Sequence, residues 1–119
     1  MQYANAIAAV YAEFEKYATA VVELSDIKTI LALRQIDASI PIYYLGPAQD
    51  ALEITDSLSL AGYIGAVTSV DKELVRALRE KDIAVSIFNA NSRSRNRTAV
   101  ELEPDYIQTD RLRDLLRFR

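Results

Sequence analysis

Residues 71–88 read DKELVRALREKDIAVSIF and combine an amphipathic helix with a strand. Asp71 stands just before the helix and can cap it, because an aspartate side chain accepts hydrogen bonds from the free N–H groups of a first turn. The run IAVSIF (83–88) is almost continuously apolar and rich in β-branched residues, which is typical of a strand that is covered on both faces. The stretch therefore predicts a helix followed by a buried parallel strand.

The same pattern recurs along the whole chain. Predicted strands begin near residues 19, 39, 61, 83 and 105, and a helix or a helical turn fills each interval of 20–22 residues. These intervals are too long for hairpins, so consecutive strands are expected to be parallel. We expect a single α/β domain over residues 1–119, with a leading helix over 1–17 and five βα units over 18–119 around a parallel sheet of about five strands.

Two of the units are similar to each other. Residues 26–44 align without gaps with residues 71–89, at an offset of 45. Asp26 matches Asp71 as a helix cap, and the triplet Ala-Leu-Arg occurs at the same place in both helices. An offset of two units fits a repeated closed barrel, in which alternate strands face the same layer. The alternative is that helix–strand units share a composition without a repeat.

The composition excludes several classes of function. The 119 residues are half hydrophobic, with no His, no Cys and no Trp, and with only three glycines. A thiolate nucleophile, a cysteine zinc site, a histidine base and a glycine-rich phosphate loop are therefore absent from the sequence. Any catalysis by this chain alone would have to come from carboxylate, Lys, Arg, Tyr, Ser or Thr side chains.

The charge and the apolar runs bear on the partners of the protein. The formal net charge is −3, which does not favour binding to nucleic acid. No apolar run reaches the about 18 residues of a membrane span, and the opening MQYANAIAAVYAEF lacks the basic start of a signal peptide. We therefore expect neither a nucleic-acid partner nor a membrane span, and the cytoplasm is the default compartment.

Three stretches of the chain carry a resemblance to a known family. They are TAVVELSDIKTILALRQIDASIPIYYL (19–45), SVDKELVRALREKDIAVSIFNANSRS (69–94) and EPDYIQTDRLRDLL (103–116). In their order and spacing they resemble the C-terminal part of a glycerophosphodiester phosphodiesterase, a TIM-barrel family. The resemblance implies the second half of such a barrel, with five of its eight strands, as an alternative to an open doubly wound sheet.

The resemblance also implies a function for the full-length protein. The family hydrolyses glycerophosphodiesters with a divalent metal, Mg²⁺ or Ca²⁺, to glycerol 3-phosphate and an alcohol. Its His-Arg-Gly strand, Glu-x-Asp pair, second His and Glu-x-Lys strand are missing here, and the Trp-Thr pair of its late strand is replaced by Phe88-Asn89. We therefore expect no cofactor and no catalytic residue in this segment, which alone should be inactive.

Four residues are candidates for substrate binding, because ligands of parallel α/β folds gather at the carboxyl ends of the strands. Glu23 lies in the apolar run VVEL, among residues that are expected to be buried, where a carboxylate can hold a cation or act as a base. The alternative is that Glu23 points to the open mouth of the strand or pairs with a Lys or Arg. Tyr44 and its neighbour Tyr43 point to opposite faces, so one of them is expected to line a pocket. Asn89 and Asn91 flank the turn after the fourth strand, where they can bind a polyol or simply shape the turn.

Basic residues follow those asparagines. Arg93, Arg95 and Arg97 alternate with polar residues in NANSRSRNR (89–97), which we interpret as a loop that contacts a phosphate or an acidic partner, or is only solvated. A helical turn is expected over 98–103. Asp110 is expected to cap the terminal helix.

An incomplete barrel leaves two strand edges unpaired. The alternative function is therefore a non-catalytic association domain, whose partner is its own copy or an upstream domain that covers the open edges. A third hypothesis, a flavodoxin-like or Rossmann-like ligand binder, lacks the expected glycine-rich turn after the first strand.

Overall fold

The computed structural model describes residues 2–16 and 20–118. Helices and strands alternate along the chain, as the sequence predicts. The helices are α1 (Gln2–Phe14), α2 (Ile27–Ile36), α3 (Ala48–Ser57), α4 (Lys72–Glu80), α5 (Arg93–Glu101) and α6 (Leu112–Leu116). The strands are β1 (Val22–Leu24), β2 (Ile42–Leu45), β3 (Gly62–Ala66), β4 (Ala84–Phe88) and β5 (Tyr106–Ile107). The predicted α/β fold is confirmed, with strands shorter than expected. The start of the first predicted strand lies outside the described residues.

The five strands form one parallel sheet in the order β1-β2-β3-β4-β5. Each strand lies beside the next one along the chain, and right-handed crossovers in such an order place all the connecting helices on the same side. Flavodoxin-like and Rossmann-like sheets instead change direction within the strand order. The sequential strand order therefore excludes the open doubly wound sheet. It is the order that consecutive strands have in a βα barrel.

The helix-facing side of the sheet holds the main core. On the central strands β2, β3 and β4, the large apolar residues that point to this side are fully or almost fully buried and pack against buried side chains of the helices. From the strands these are Ile42, Tyr44, Tyr63, Val85 and Ile87, and from the helices Ile30, Leu33, Ala51, Val75, Leu78 and Ala99. Burial of apolar surface on this side stabilises the sheet and fixes which residues remain for the other side.

The two similar units play similar parts in the structure. Asp26 caps α2 by accepting a hydrogen bond from the Thr29 N–H at 3.1 Å, and Asp71 caps α4 through the Leu74 N–H at 2.8 Å. Leu33 and Leu78, from the shared triplet, are both fully buried. Both cap predictions are therefore confirmed, and the sequence similarity corresponds to equivalent capping and core positions.

Two local predictions are wrong. Residues 89–97 are not one loop, because α5 begins at Arg93 and Ser92 caps it by accepting from the Arg95 N–H at 3.2 Å. Asp110 does not cap α6, whose N-cap residue is Arg111 with no side-chain cap. The Asp110 N–H instead donates to the Asn91 side-chain oxygen at 3.2 Å, which ties the ends of β4 and β5 together.

Residues with a left-handed backbone follow three of the helices, and replacing one of them by glycine tests how much this conformation costs in stability. Helices α3, α4 and α5 are each followed by a non-glycine residue with positive φ: Ser59, Asp82 and Glu103. Glutamate in this region suffers a steric penalty that glycine avoids. We expect Glu103→Gly to raise the free energy of unfolding by about 0.5–1 kcal/mol in urea titrations. The control Glu101→Gly lies at the last helical position of α5 and should lower it, by less than the about 1 kcal/mol of a helix interior. A destabilised Glu103→Gly would contradict the prediction.

Candidate functional site

The side of the sheet opposite the core forms a groove, which we call the inner groove. Residues of both edge strands, β1 and β5, line this groove, so the sheet is curved around it. The lining residues are Val21, Glu23, Tyr43, Ile64, Ser86, Tyr106, Ile107 and Gln108. Its volume is about 320 Å³. In a closed barrel this side of the sheet is the barrel interior.

A glycine on β3 shapes the floor of the inner groove. Gly62 pairs with Tyr43 across the β2–β3 ladder, so both positions point to the same side. A Cβ atom at Gly62 would lie 2.7 Å from the Tyr43 ring, closer than carbon atoms can approach. The ring therefore lies across β3 where only a glycine leaves room for it.

The phenol of Tyr43 is the most perturbed polar group of the inner groove. Burial raises the pKa of Tyr43, and the neighbouring Tyr106 and the negative charge of Asp105 raise it further, through charge and a side-chain hydrogen bond with Tyr106. The hydroxyl group consequently stays protonated over the physiological range and can both donate and accept hydrogen bonds. Tyr43 on β2 and Tyr106 on β5 both line the inner groove, on the same side of the sheet.

Glu23 lines the inner groove, but the expectation that it is buried is wrong. It lies at the middle of β1, which is the outer strand of the sheet, and its side chain is exposed. The apolar neighbours in VVEL pack on the other side or remain at the open edge, so they do not enclose it. The carboxylate is therefore available to a ligand that enters the groove.

Tyr44 is buried on the core side, and Tyr43 is the tyrosine that faces the inner groove. The Tyr44 ring packs against Tyr63 with centroids 6.2 Å apart, among the core residues. Sequence reasoning therefore chose the wrong one of two adjacent tyrosines.

Asn89 and Asn91 lie at the carboxyl end of β4, outside the residues that line the inner groove. Asn89 adopts a positive φ of 63°, which asparagine tolerates better than most residues. The Asn91 side-chain oxygen accepts from the Asp110 N–H, and the nearby Thr109 hydroxyl donates to the Ala90 carbonyl at 2.6 Å. These contacts shape the turn.

The three arginines do not all share one face of α5. Arg93, Arg95 and Arg97 lie on this helix and are all exposed. Arg93 and Arg97 are four residues apart and so are neighbours on the helix surface, whereas Arg95 is two residues from each of them and faces elsewhere. The Arg97 guanidinium lies over the Phe118 ring at 5.2 Å, which attaches α5 to the end of the chain.

The donor set does not fit a divalent metal. Within residues 2–16 and 20–118, no three acidic, histidine or cysteine side chains come together. Glu23 is the one carboxylate among the lining residues of the inner groove. A Mg²⁺ or Ca²⁺ site needs several oxygen ligands, so no step through a metal is derived from these residues.

In the described part of the chain, no helix has the length and apolarity needed to cross a bilayer.

Solved structures share this fold. A protein from Silicibacter pomeroyi DSS-3, assigned as a glycerophosphoryl diester phosphodiesterase, matches with a TM-score of 0.80 and 20% identity, over 97% of this chain and 43% of its own. A protein with the same assignment from Agrobacterium tumefaciens matches with a TM-score of 0.73 and 15% identity, over 93% and 49%. An Oleispira antarctica phosphodiesterase, solved with sn-glycerol-3-phosphate, matches with a TM-score of 0.67 and 15% identity, over 84% and 42%.

These matches establish the fold. The chain has the fold of part of these structures and spans less than half of their length. The resemblance found in the sequence is confirmed at this level. No protein-family model and no curated protein matches the chain.

Proposed function

We propose that this chain is the C-terminal half of a glycerophosphodiester phosphodiesterase-like barrel and that the complete protein hydrolyses glycerophosphodiesters with a divalent metal. The observation that carries the proposal is the structural match over 97% of the chain to a protein with that assignment. In the reaction water adds to phosphorus, the bond from phosphorus to the alcohol oxygen breaks, and the alcohol leaves with a proton. The residues for this chemistry belong to the other half of the barrel.

In this proposal the chain contributes a wall and the rim of the substrate pocket. Glu23 and Tyr43 present a carboxylate and a phenol to the inner groove, where they can bind the hydroxyl groups of a glycerol moiety. Asn89 and Asn91 stand at the carboxyl edge of the sheet, where barrel enzymes bind substrate. Arg93 and Arg95 extend from the start of α5 near that edge and can attract an anionic substrate.

The isolated chain should show no phosphodiesterase turnover. We expect hydrolysis of glycerophosphocholine at the buffer rate with Mg²⁺ or Ca²⁺ from pH 5 to pH 9, since the described residues bring no metal ligands together. The measurement is release of glycerol 3-phosphate in a coupled assay, with Glu23→Gln as the matched variant. Metal-dependent turnover that Glu23→Gln abolishes would contradict the prediction and make Glu23 a catalytic residue.

A non-catalytic association domain is the second candidate. The observation that favours it is a set of exposed apolar side chains beside the open edges of the sheet. A self-associating domain would keep these surfaces for a copy of itself and would need no active site.

A further inference from the structure

We propose that the inner groove binds a small alkylammonium cation, held between the Glu23 carboxylate and the aromatic surface of Tyr43 and Tyr106. This site goes beyond the proposed function, because the ligand is bound and not transformed. The charge of the groove, its aromatic and apolar surface and its size each favour a ligand of this class.

The charge of the inner groove is negative. Among the lining residues within 2–16 and 20–118, Glu23 is the one charged side chain, and none is Lys or Arg. The five strands of the sheet likewise hold no basic residue. The Glu23 side chain is exposed, so a ligand reaches it without rearrangement of the sheet. A groove with this charge attracts cations and repels anions such as phosphate.

Two tyrosines give the groove aromatic surface. Tyr106 on β5 is 56% exposed, so its ring is open to a ligand. Tyr43 is 7% exposed, and its ring packs against Gly62 at the floor of the groove. The face of a tyrosine ring attracts a cation that lies within about 6 Å of the ring centre. Tyr106 therefore offers an open face to a cation, and Tyr43 offers a smaller surface that packing holds in place.

The remaining lining residues favour an organic cation over a metal ion. Val21, Ile64 and Ile107 bring apolar side chains to the groove, and these cannot act as ligands of a metal. A Mg²⁺ or Ca²⁺ ion needs a shell of about six or more oxygen ligands. An alkylammonium ion has its charge surrounded by carbon-bound hydrogens, so a single carboxylate, aromatic faces and apolar contacts are sufficient to bind it.

The size of the groove limits the ligand to a small molecule. Its volume of about 320 Å³ lies at the lower end of the about 300–1,000 Å³ that is usual for small-molecule sites. Ser86 and Gln108 add a hydroxyl and an amide group to the lining. These groups can form hydrogen bonds with a hydroxyl group on the same ligand. An ammonium alcohol therefore matches both the charged and the polar side chains of the groove.

A neutral polyol is the competing ligand. The hydrogen-bonding groups that the proposed function offers to a glycerol moiety also serve the hydroxyl group of an ammonium alcohol. A polyol, however, gains nothing from the negative charge of Glu23 or from the ring faces of the tyrosines. The two ligands should therefore respond differently when the carboxylate charge or the Tyr106 ring is removed.

The test is an NMR titration of the 119-residue chain with choline, a quaternary ammonium alcohol. We expect saturable shifts of the backbone amide signals of β1 and β5. The neutral analogue of choline, in which a carbon atom replaces the nitrogen, has the same shape and should bind at least about fivefold more weakly. Glycerol should also bind at least about fivefold more weakly, and glycerol 3-phosphate should produce no saturable shifts, because its charge is repelled.

Two variants of the groove and two matched controls locate the site. Glu23→Gln and Tyr106→Leu should each weaken choline binding about two- to fivefold, because each removes one attraction for the cation. Glu53→Gln and Tyr3→Leu change an exposed glutamate of α3 and an exposed tyrosine of α1, both outside the lining of the inner groove. They should leave the affinity unchanged, and circular dichroism checks that all four variants fold.

Several results would overturn the proposal. Equal binding of choline and its neutral analogue would show that the charge does not matter, and binding of glycerol at least as tight as that of choline would indicate a polyol site. Weakening by the control variants equal to that by the groove variants would place the cation elsewhere. Absence of saturable shifts with choline would exclude the site. None of these results depends on turnover, so the proposed hydrolysis and this site can fail independently.

Discussion

Replacing Tyr63 by alanine should lower the free energy of unfolding by about 3–5 kcal/mol. The Tyr63 side chain is fully buried on the core side of β3 and packs against Tyr44. Its hydroxyl donates to the Gly46 carbonyl at 2.7 Å, which ties β3 to the end of β2. Alanine would leave a large cavity and an unpaired carbonyl. Such a loss is a large part of the total stability of a small domain, about 5–15 kcal/mol.

Two further variants separate the contributions. Tyr63→Phe keeps the ring and removes the hydroxyl group, so it should cost about 1–2 kcal/mol. Tyr106→Ala removes a tyrosine of similar size that is 56% exposed, and should cost less than about 1 kcal/mol. Urea unfolding followed by circular dichroism gives all three values. Equal losses at positions 63 and 106 would show that the core side of the sheet does not dominate stability.

The order of helices and strands could be predicted from residue spacing because the signals are local. Asp26 and Asp71 are followed by amphipathic stretches, and each buried strand is an apolar run between polar turns. The start of α5 could not be found in this way. Its first turn contains arginines, serine and asparagine, and its helical state depends on the Ser92 cap and on burial of Asn96 and Ala99 against the rest of the chain.

The candidate site was predictable only in part. Alternation along β2 predicts that one of Tyr43 and Tyr44 faces each side, but it does not say which side carries the helices. That choice is set by the ladder, which pairs Tyr43 with Gly62 and Tyr44 with Tyr63. Exposure of Glu23 likewise depends on β1 being the outer strand, a property of the sheet that VVEL alone does not contain.

At alkaline pH the same buried tyrosine should make the stability of the protein fall. Burial raises the pKa of Tyr63 to about 12 from a usual value of 10.0, with smaller contributions from Tyr44 and the charge of Asp50. A raised pKa in the folded state means that the unfolded chain loses its proton first. The stabilisation is therefore complete below pH 10 and is lost as the pH rises toward 12.

A difference of about 2 pKa units between the folded and unfolded states corresponds to a loss of about 3 kcal/mol in the free energy of unfolding between pH 10 and pH 12. The measurement is the urea midpoint at intervals from pH 8 to pH 11.5, for the parent chain and for Tyr63→Phe. The variant lacks the titrating phenol, so its midpoint should fall less steeply above pH 10, while the lysines and the other tyrosines contribute equally to both. Parallel curves would show that Tyr63 does not carry the alkaline loss of stability, and that more exposed tyrosines or lysines of the chain do.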